Sequence, residues 1–264
     1  ADAAFLAETL RSIHPAFHDI GGEDYATALM EAANNIYAPM TRREIYRALA
    51  PLNGLLQDGH TYLREPVEER AAYEAAGGRY PPFTVSLTSN RLFIDQPLAG
   101  NGRFQAGDKI ISLNGVTGEN AAAFALNSDS GESLALRAAY ASRNFHRHLW
   151  AMGVASPFDI EIVRSGETIL TQHQGVTAQE LRQGGRAQSR KNSFEILENG
   201  IGLLTFNNMP APDSDFRSFL AESFAAIRAA GATDMLIDLR NNGGGDSRAG
   251  DLLMTYLTTE KLPS

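Results

Sequence analysis

Three consecutive glycines, Gly243, Gly244 and Gly245, follow an apolar run in the stretch "MLIDLRNNGGGDSRAG". Glycine loses more backbone freedom on folding than any other residue, so a run of three belongs where the chain must be bare or must adopt a positive φ. Ahead of it, "DMLIDL" predicts a short buried strand. Behind it, Ala249, Leu252, Leu253, Tyr256 and Leu257 recur at helical spacing. Upstream, "FEILENGIGLLTF" reads as two strands about Asn199 and Gly200. Phe216, Phe219, Leu220, Phe224 and Ile227 then form one helix face, with Gly231 as its stop. Strand, helix, strand, glycine loop, helix is a crossover unit, which predicts an α/β fold with a mostly parallel sheet. Loops at the carboxyl ends of such strands are where ligands bind.

The N–H groups opening the helix after the glycines carry the positive end of its dipole, which suits an anion. Neither the Lys-Ser/Thr of a P-loop nor the GxGxxG spacing of a dinucleotide fold is present. Two readings therefore stand: a structural turn capped by Asp246 or Ser247, or an anion cradle. Asp238 and Arg240 share a face of extended chain. They read as an ion pair that holds the loop or as a clamp on substrate.

The rest of the chain divides by pattern. Residues 1–75 are predicted helical: Phe5, Leu6, Leu10 and Ile13 approach a 3.6-residue period, and "TRRE" at 41–44 is a capping box. Ile45, Ala48, Leu49, Leu52 and Leu56 mark an apolar face, which Pro51 kinks or splits. Residues 76–178 are β-rich. "FTVSLTSNRLFIDQPL" and "PFDIEIVRSGETILTQH" predict hairpins turning at Ser89-Asn90 and Ser165-Gly166, and "KIISLNG" a strand and turn before a helix. "TAQELRQGGRAQSRKNS" reads as a linker or exposed loop, and 190–264 holds the crossover unit.

A net charge of −8 over 264 residues argues against nucleic acid as a partner. No apolar run approaches the ~20 residues needed to span a bilayer. The absence of cysteine removes disulfides, thiol nucleophiles and zinc–thiolate sites. The start, "ADAAFLAETL", reads as mature or trimmed. The last segment, "DLLMTYLTTEKLPS", reads as a helix and the opening of a further element, so the C-terminus is expected to cut through a domain.

Among the histidines, His60 sits in the Asp58-Gly59 turn of "LQDGHTYL", where it is either a solvated residue or a general base oriented by Thr61 and Tyr62. His146 and His148 in "FHRHLW" would share one face of a strand as metal ligands, but no third ligand is in view. His14, His18 and His173 have nothing around them that singles them out. Residue chemistry alone leaves the function open.

The ordered series "LQDGHTYL", "FQAGDKIISLNG", "NGIGLLTF", "MLIDLRNNGGGDS" resembles the C-terminal processing (tail-specific) serine peptidases and their tricorn-type and retinoid-binding relatives. The resemblance implies an α/β, multi-domain α+β protein. An N-terminal helical segment would precede a PDZ-like β-rich domain and part of an α/β peptidase core of the crotonase-like or ClpP-like kind. It implies acyl transfer to a serine with backbone N–H groups binding the oxyanion. By position, Gly243 and Gly244 would form the oxyanion hole, Arg240, Asn242 and Gly245 would meet substrate, and His60 would be the base, as in the tricorn branch. The C-terminal processing branch uses a lysine beyond the serine instead. Gly59 stands where tricorn has a serine.

The family's Ser-rich "GS.SA.E" segment has no match in residues 1–264, and Ser247 opens a helix. The chain alone is therefore expected to be inactive. The segment 125–157 is long for a PDZ-like module, and no Gly-hydrophobic-Gly turn precedes "RYPPFTVSL". The resemblance further implies a protein or peptide substrate, no metal or other cofactor, room for a homo-oligomer, and an extracytoplasmic (periplasmic or secreted) location, with the cytoplasm left open. Two rival readings are a non-catalytic ligand- or peptide-binding protein that keeps this fold, and a PDZ-like interaction module without chemistry.

Overall fold

The computed structural model describes residues 2–34, 36, 38–98, 102–184, 191–240 and 242–258. The chain forms two compact units, Ala1–Gly185 and Arg186–Ser264.

The first unit opens with helices α1 (Asp2–Ile13), α2 (Gly22–Asn34) and α3 (Arg42–Leu49), a 3-10 turn at Ala50–Leu55, and α4 (Val67–Ala75). The Thr41/Glu44 capping box is formed in both directions: the Thr41 hydroxyl accepts from Glu44 N at 3.2 Å, and Glu44 accepts from Thr41 N at 2.8 Å. The helix gives way to the 3-10 turn at Pro51, as a ring without an N–H requires. The predicted faces are only partly right. In α1, the narrow stripe of Ala3, Ala7 and Leu10 packs in the first helical core, while Phe5 and Ile13 stand exposed. In α3, Tyr46 is buried rather than Ile45 or Ala48, because this side of the helix meets Trp150 and Ala151 in a second cluster.

A short strand β1 (Arg79–Tyr80) leads into β2 (Phe83–Thr88), β3 (Arg91–Pro97), β4 (Lys109–Leu113) and β5 (Val116–Thr117). Helices α5 (Gly118–Ser128) and α6 (Leu134–Met152) come next. Then follow β6 (Phe158–Arg164), β7 (Glu167–His173), β8 (Val176–Thr177) and α7 (Ala178–Gly184). The main sheet is antiparallel in the order β2-β3-β4-β6-β7, with β5 on β4, and β8 pairs with β1. Both predicted hairpins form. Ser89-Asn90 and Ser165-Gly166 each place two residues at positive φ, the geometry that matches strand twist in a two-residue turn.

Alternation puts Leu92, Ile94, Ile110, Ile160 and Ile162 on the covered face, where the small side chains of Ala121, Ala122 and Ala125 let α5 lie close. Each of these buried aliphatic chains is worth about 2 kcal/mol. The long segment 125–157 is the end of α5 followed by α6, capped by Ser133 and ended by Gly153 at φ 85°. The expected linker at 177–193 is in its first half helical. Thr177 and Glu180 close a second capping box, whose donors would otherwise be orphaned, and α7 follows from it. Residues 185–190 of that stretch lie outside the described residues.

Within "AGDKIISLNG", Asp108 is buried and takes both Arg164 Nε and Nη2 at 2.7 Å and Gln105 N at 2.8 Å. This fastens the turn before β4 to the end of β6.

The second unit holds β9 (Ser193–Ile196), β10 (Gly202–Thr205), α8 (Ser214–Ala230), β11 (Met235–Asp238) and α9 (Ser247–Leu257). β10 lies centrally, antiparallel to β9 and parallel to β11, so the sheet is mixed where a mostly parallel one was expected. Leu204, Phe206, Phe216, Leu220, Phe224, and Leu253 form the core, and Gly231 ends α8 at φ 65°. The expected buried strand is half-buried instead. β11 is the sheet edge; Met235 and Ile237 pack against the core, whereas Leu236 on the other face is 53% exposed.

The guanidinium of Arg164 holds the Asp108 carboxyl below its ordinary range. Asp108 therefore stabilises the fold fully above the unfolded value near ~3.9, and the contribution is lost as pH falls through the lower folded value. Asp108→Asn is expected to cost about 2–3 kcal/mol in urea unfolding at neutral pH. The gap to wild type should close as pH falls through that lowered folded value; a gap of constant size would show that the carboxylate charge is not its source.

Candidate active site

The turn carrying His60 is built by a side chain seven residues before it. Asn53 is wholly buried; its Oδ1 accepts from Leu63 N at 2.7 Å, and its Nδ2 donates to Leu63 O at 3.0 Å and Ser128 O at 2.8 Å. Asn53 thus closes the two ends of the loop and ties it to the end of α5. Gln57 N donates to Ile20 O at 2.9 Å on the other side.

Inside this clamp Asp58 accepts at Oδ1 from His60 N (2.9 Å) and at Oδ2 from the Thr61 hydroxyl (2.7 Å), with His14 Nε2 also 2.8 Å from Oδ2. These partners hold its carboxyl well below the usual carboxylate range, the His60 N–H contributing most, then the Thr61 hydroxyl. Asp58 is consequently an anion at neutral pH. The His60 side chain is 94% exposed, with Nδ1 3.5 Å from Asp58 Oδ1, within ion-pair reach but long for a hydrogen bond. Thr61 orients Asp58 rather than the imidazole. An exposed imidazole of this kind is a candidate general base.

Gly59 N donates to Glu132 Oε1 at 3.2 Å. Asp58, His60 and Glu132 consequently bring one ligand atom each to within 4.8 Å of one another, a spacing a divalent cation could bridge. A cation there would compete with the donors already on Asp58 and Glu132. Neither His14 nor Glu132 stands out in the sequence, since each reaches the turn from a distant element and no local spacing announces it.

His146 and His148 do not share one face of a strand. They lie on helix α6, where residues two apart face different ways. His146 packs edge-on against Tyr80 with ring centroids 5.2 Å apart, and burial lowers its pKa to about 3. His148 Nε2 instead meets Asp129 Oδ2 at 2.9 Å.

In the second unit, Asp238 anchors the start of the glycine loop. It accepts from Arg240 N (3.0 Å), Nε (2.9 Å) and Nη2 (2.7 Å), the loop-holding ion pair rather than a free clamp. Asn241 lies outside the described residues. Asn242 crosses back to the core, donating from Nδ2 to Phe206 O at 2.7 Å, while its Oδ1 accepts from Gly244 N at 2.7 Å. Gly245, at φ 141°, pairs beside Met209, and a Cβ there would lie 2.1 Å from Met209 O. The glycine is required by that close approach.

Asp246 caps α9, accepting from Arg248 N at 3.0 Å, so the helix start already carries its own carboxylate. Among the described residues the N–H groups of Gly243 and Gly245 have no acceptor, whereas that of Gly244 is taken by Asn242. Ser247 opens α9 as an exposed residue. His60 and the glycine loop belong to different units.

No family model matches the chain, and no curated protein does. Solved structures do. Mature CPAF complexed with lactacystin aligns at a TM-score of 0.57 with 16% identity, over 96% of this chain and 57% of that one. Mature CPAF aligns at 0.56 with 15% identity, over 93% and 55%. The chain thus has the α/β fold of CPAF and spans a little over half its length. A photosystem II D1 C-terminal processing protease aligns at a TM-score of 0.35 with 16% identity, over 96% of this chain and 64% of that one.

Three substitutions test this arrangement. Asn53→Ala strands the amide and carbonyl of Leu63 and the carbonyl of Ser128, and should lower stability by about 2–4 kcal/mol in chemical denaturation. Gly245→Ala should cost about 2–3 kcal/mol through its clash and positive φ. Gly243→Ala, with nothing within 4 Å of the added methyl, should be near neutral, and equal losses at both glycines would refute the close-approach account.

Proposed function

We propose that the chain is the N-terminal part of a serine endopeptidase of the C-terminal processing or tricorn type, which hydrolyses peptide bonds by acyl transfer. The nucleophilic serine is supplied by sequence outside residues 1–264, and these residues alone do not turn over peptide. The antiparallel sheet with α5 and α6 serves as the PDZ-like substrate domain. The observation that carries the reading is the loop after β11, whose exposed Gly243 N–H has no acceptor among the described residues and which Asp238, Asn242 and Gly245 hold in place. The ordered sequence resemblance and the CPAF-like fold support it.

Gly243 donates to the oxyanion directly, and Gly244 does so once it releases Asn242. His60 takes the proton from the serine, with Asp58 ionised behind its Nδ1. Arg240, Asn242 and Gly245 border the bound peptide.

The second reading, a non-catalytic binding protein with the same fold, is favoured by the contact between Gly244 and Asn242, which fills half of the donor pair. The full-length protein separates the two. Labelling by a serine-directed fluorophosphonate, with turnover of an unstructured polypeptide, is expected. Turnover should fall about a hundredfold or more in His60→Ala and in Gly243→Pro, which removes the free N–H, and survive in Gly243→Ala. Peptide binding without labelling would favour the second reading, and unchanged turnover in His60→Ala would remove His60 as base.

A further inference from the structure

A cleft of about 290 Å³ lies in the first unit between the His60 turn, the α5–α6 connection and α6. Its wall includes Gly59 and the segment 62–65 on one side, and Ser128, Asp129 and residues of α6 on the other. The residues of this wall include three buried polar atoms with no partner among the described residues: Nδ1 of His148, which is 3% exposed, the hydroxyl of Ser128, also 3% exposed, and Nε of Arg147. Buried polar atoms are hydrogen-bonded in the great majority of folded proteins, so three unsatisfied ones among the residues of one concave surface call for a partner. The orphaned atoms supply one requirement of a binding site, and the charges supply the other.

Three arginines, Arg64, Arg143 and Arg147, line the cleft against two carboxylates, Glu65 and Asp129. Both carboxylates are engaged already. Glu65 lies 3.5 Å from Arg70 Nε and 3.6 Å from Arg147 Nη1, and Asp129 is held by His148 at 2.9 Å and by Asn144 Nδ2 at 3.3 Å. Arg64 and Arg143 are exposed and meet no carboxylate among the described residues, and Arg143 rests over the ring of Tyr140. The cleft is therefore one positive charge in excess at its mouth. A monoanion balances it, whereas a doubly charged phosphate would be repelled by Glu65 and Asp129. Tyr46, Tyr62 and Tyr140 add ring surface for an organic body behind the anionic group.

We propose that this cleft binds an organic carboxylate, with Arg143 and Arg64 holding the anion and His148 and Ser128 meeting a polar group carried deeper inside. Arginine suits this because its planar fork matches a carboxylate with two parallel N–H donors. The site is distinct from the glycine loop and does not depend on the peptidase reading.

The carboxylate could come from a chain terminus or from an acidic side chain, and calorimetric titration of residues 1–264 distinguishes the two. The probes are an N-acetylated dipeptide with neutral side chains and a free carboxylate, the same dipeptide amidated, an amidated dipeptide bearing one glutamate, and inorganic phosphate. Binding of the free-carboxylate dipeptide, weakened about tenfold or more by amidation, is expected. Binding of the amidated glutamate peptide in addition would assign the site to carboxylates of either origin, and its failure to bind would assign it to chain termini.

Arg143→Gln and Arg64→Gln, both at exposed positions, should each weaken binding about tenfold, while Arg91→Gln on the remote hairpin should leave it unchanged. The proposal fails if no carboxylate binds, if the neutral amidated dipeptide binds as well as the acid, if phosphate binds more tightly than either carboxylate, or if both arginine variants bind like wild type.

Discussion

One buried amide holds the first unit's functional face in place. Asn53 spends its oxygen and both N–H donors on the backbone of Leu63 and Ser128, and nothing else among the described residues pairs those three groups. The loop at 56–63 has no helix or strand of its own and would otherwise have to be ordered at a cost of about 1–2 kcal/mol per residue. Closing it with one fully satisfied side chain removes most of that freedom at once. The same residue joins the turn that presents His60 to the end of α5, and so to the rim of the arginine cleft. A change in Asn53 is felt at both places, since Leu63 and Ser128, which it bonds, line the cleft.

A second device recurs at smaller scale. Asp58, Asp238 and Asp246 each accept a hydrogen bond from the backbone N–H two residues on, those of His60, Arg240 and Arg248. The Asx turn satisfies a donor that no strand or helix reaches and fixes the direction of the next side chain. In the two arginine cases the guanidinium folds back onto the same carboxylate, so the charge is spent locally. At Asp58 the following residue is a histidine that stays out in solvent, and the carboxylate's second oxygen is satisfied by Thr61 and His14 instead. That difference separates a structural turn from one able to present a reactive imidazole.

Legibility followed the range of the interactions. Hairpin turns, the Thr41/Glu44 capping box and the crossover unit were readable, because each is decided by residues within a few positions of one another, although the equally local Thr177/Glu180 box was read as part of a linker. Ser89-Asn90 and Thr41/Glu44 are examples. Helix faces were less so. Ile45 and Ala48 have the right period, but a neighbouring helix chose Tyr46, and periodicity cannot say which of two adjacent stripes finds a partner. The long segment 125–157 passed for an insertion because its alanines and arginines carry little amphipathic contrast, although Ser133 and Gly153 mark both ends. The site was legible only in halves. His60 and the glycines were visible as motifs; His14, Glu132, Asn53 and the His148–Asp129 pair are joined by tertiary contacts across distant stretches, which no local pattern encodes.

The contact between Asn242 and Gly244 decides how the glycine loop can work. A loop of bare glycines would drift among conformers, and catalysis by oriented donors needs those donors fixed before the charge develops. Asn242 supplies the fixing: its Nδ2 holds the core at Phe206 O while its Oδ1 holds Gly244 N. The same bond withholds one donor. An oxyanion arriving beside Gly243 would compete with the amide oxygen for the Gly244 N–H, and a charge-assisted bond is about twice as strong as the neutral one it replaces. The exchange is therefore favourable only when the charge is present, and release of Oδ1 leaves the Nδ2 anchor intact. On the proposed reading, a loop built this way would keep its shape with no ligand bound and would offer its second donor to an anion rather than to a neutral carbonyl.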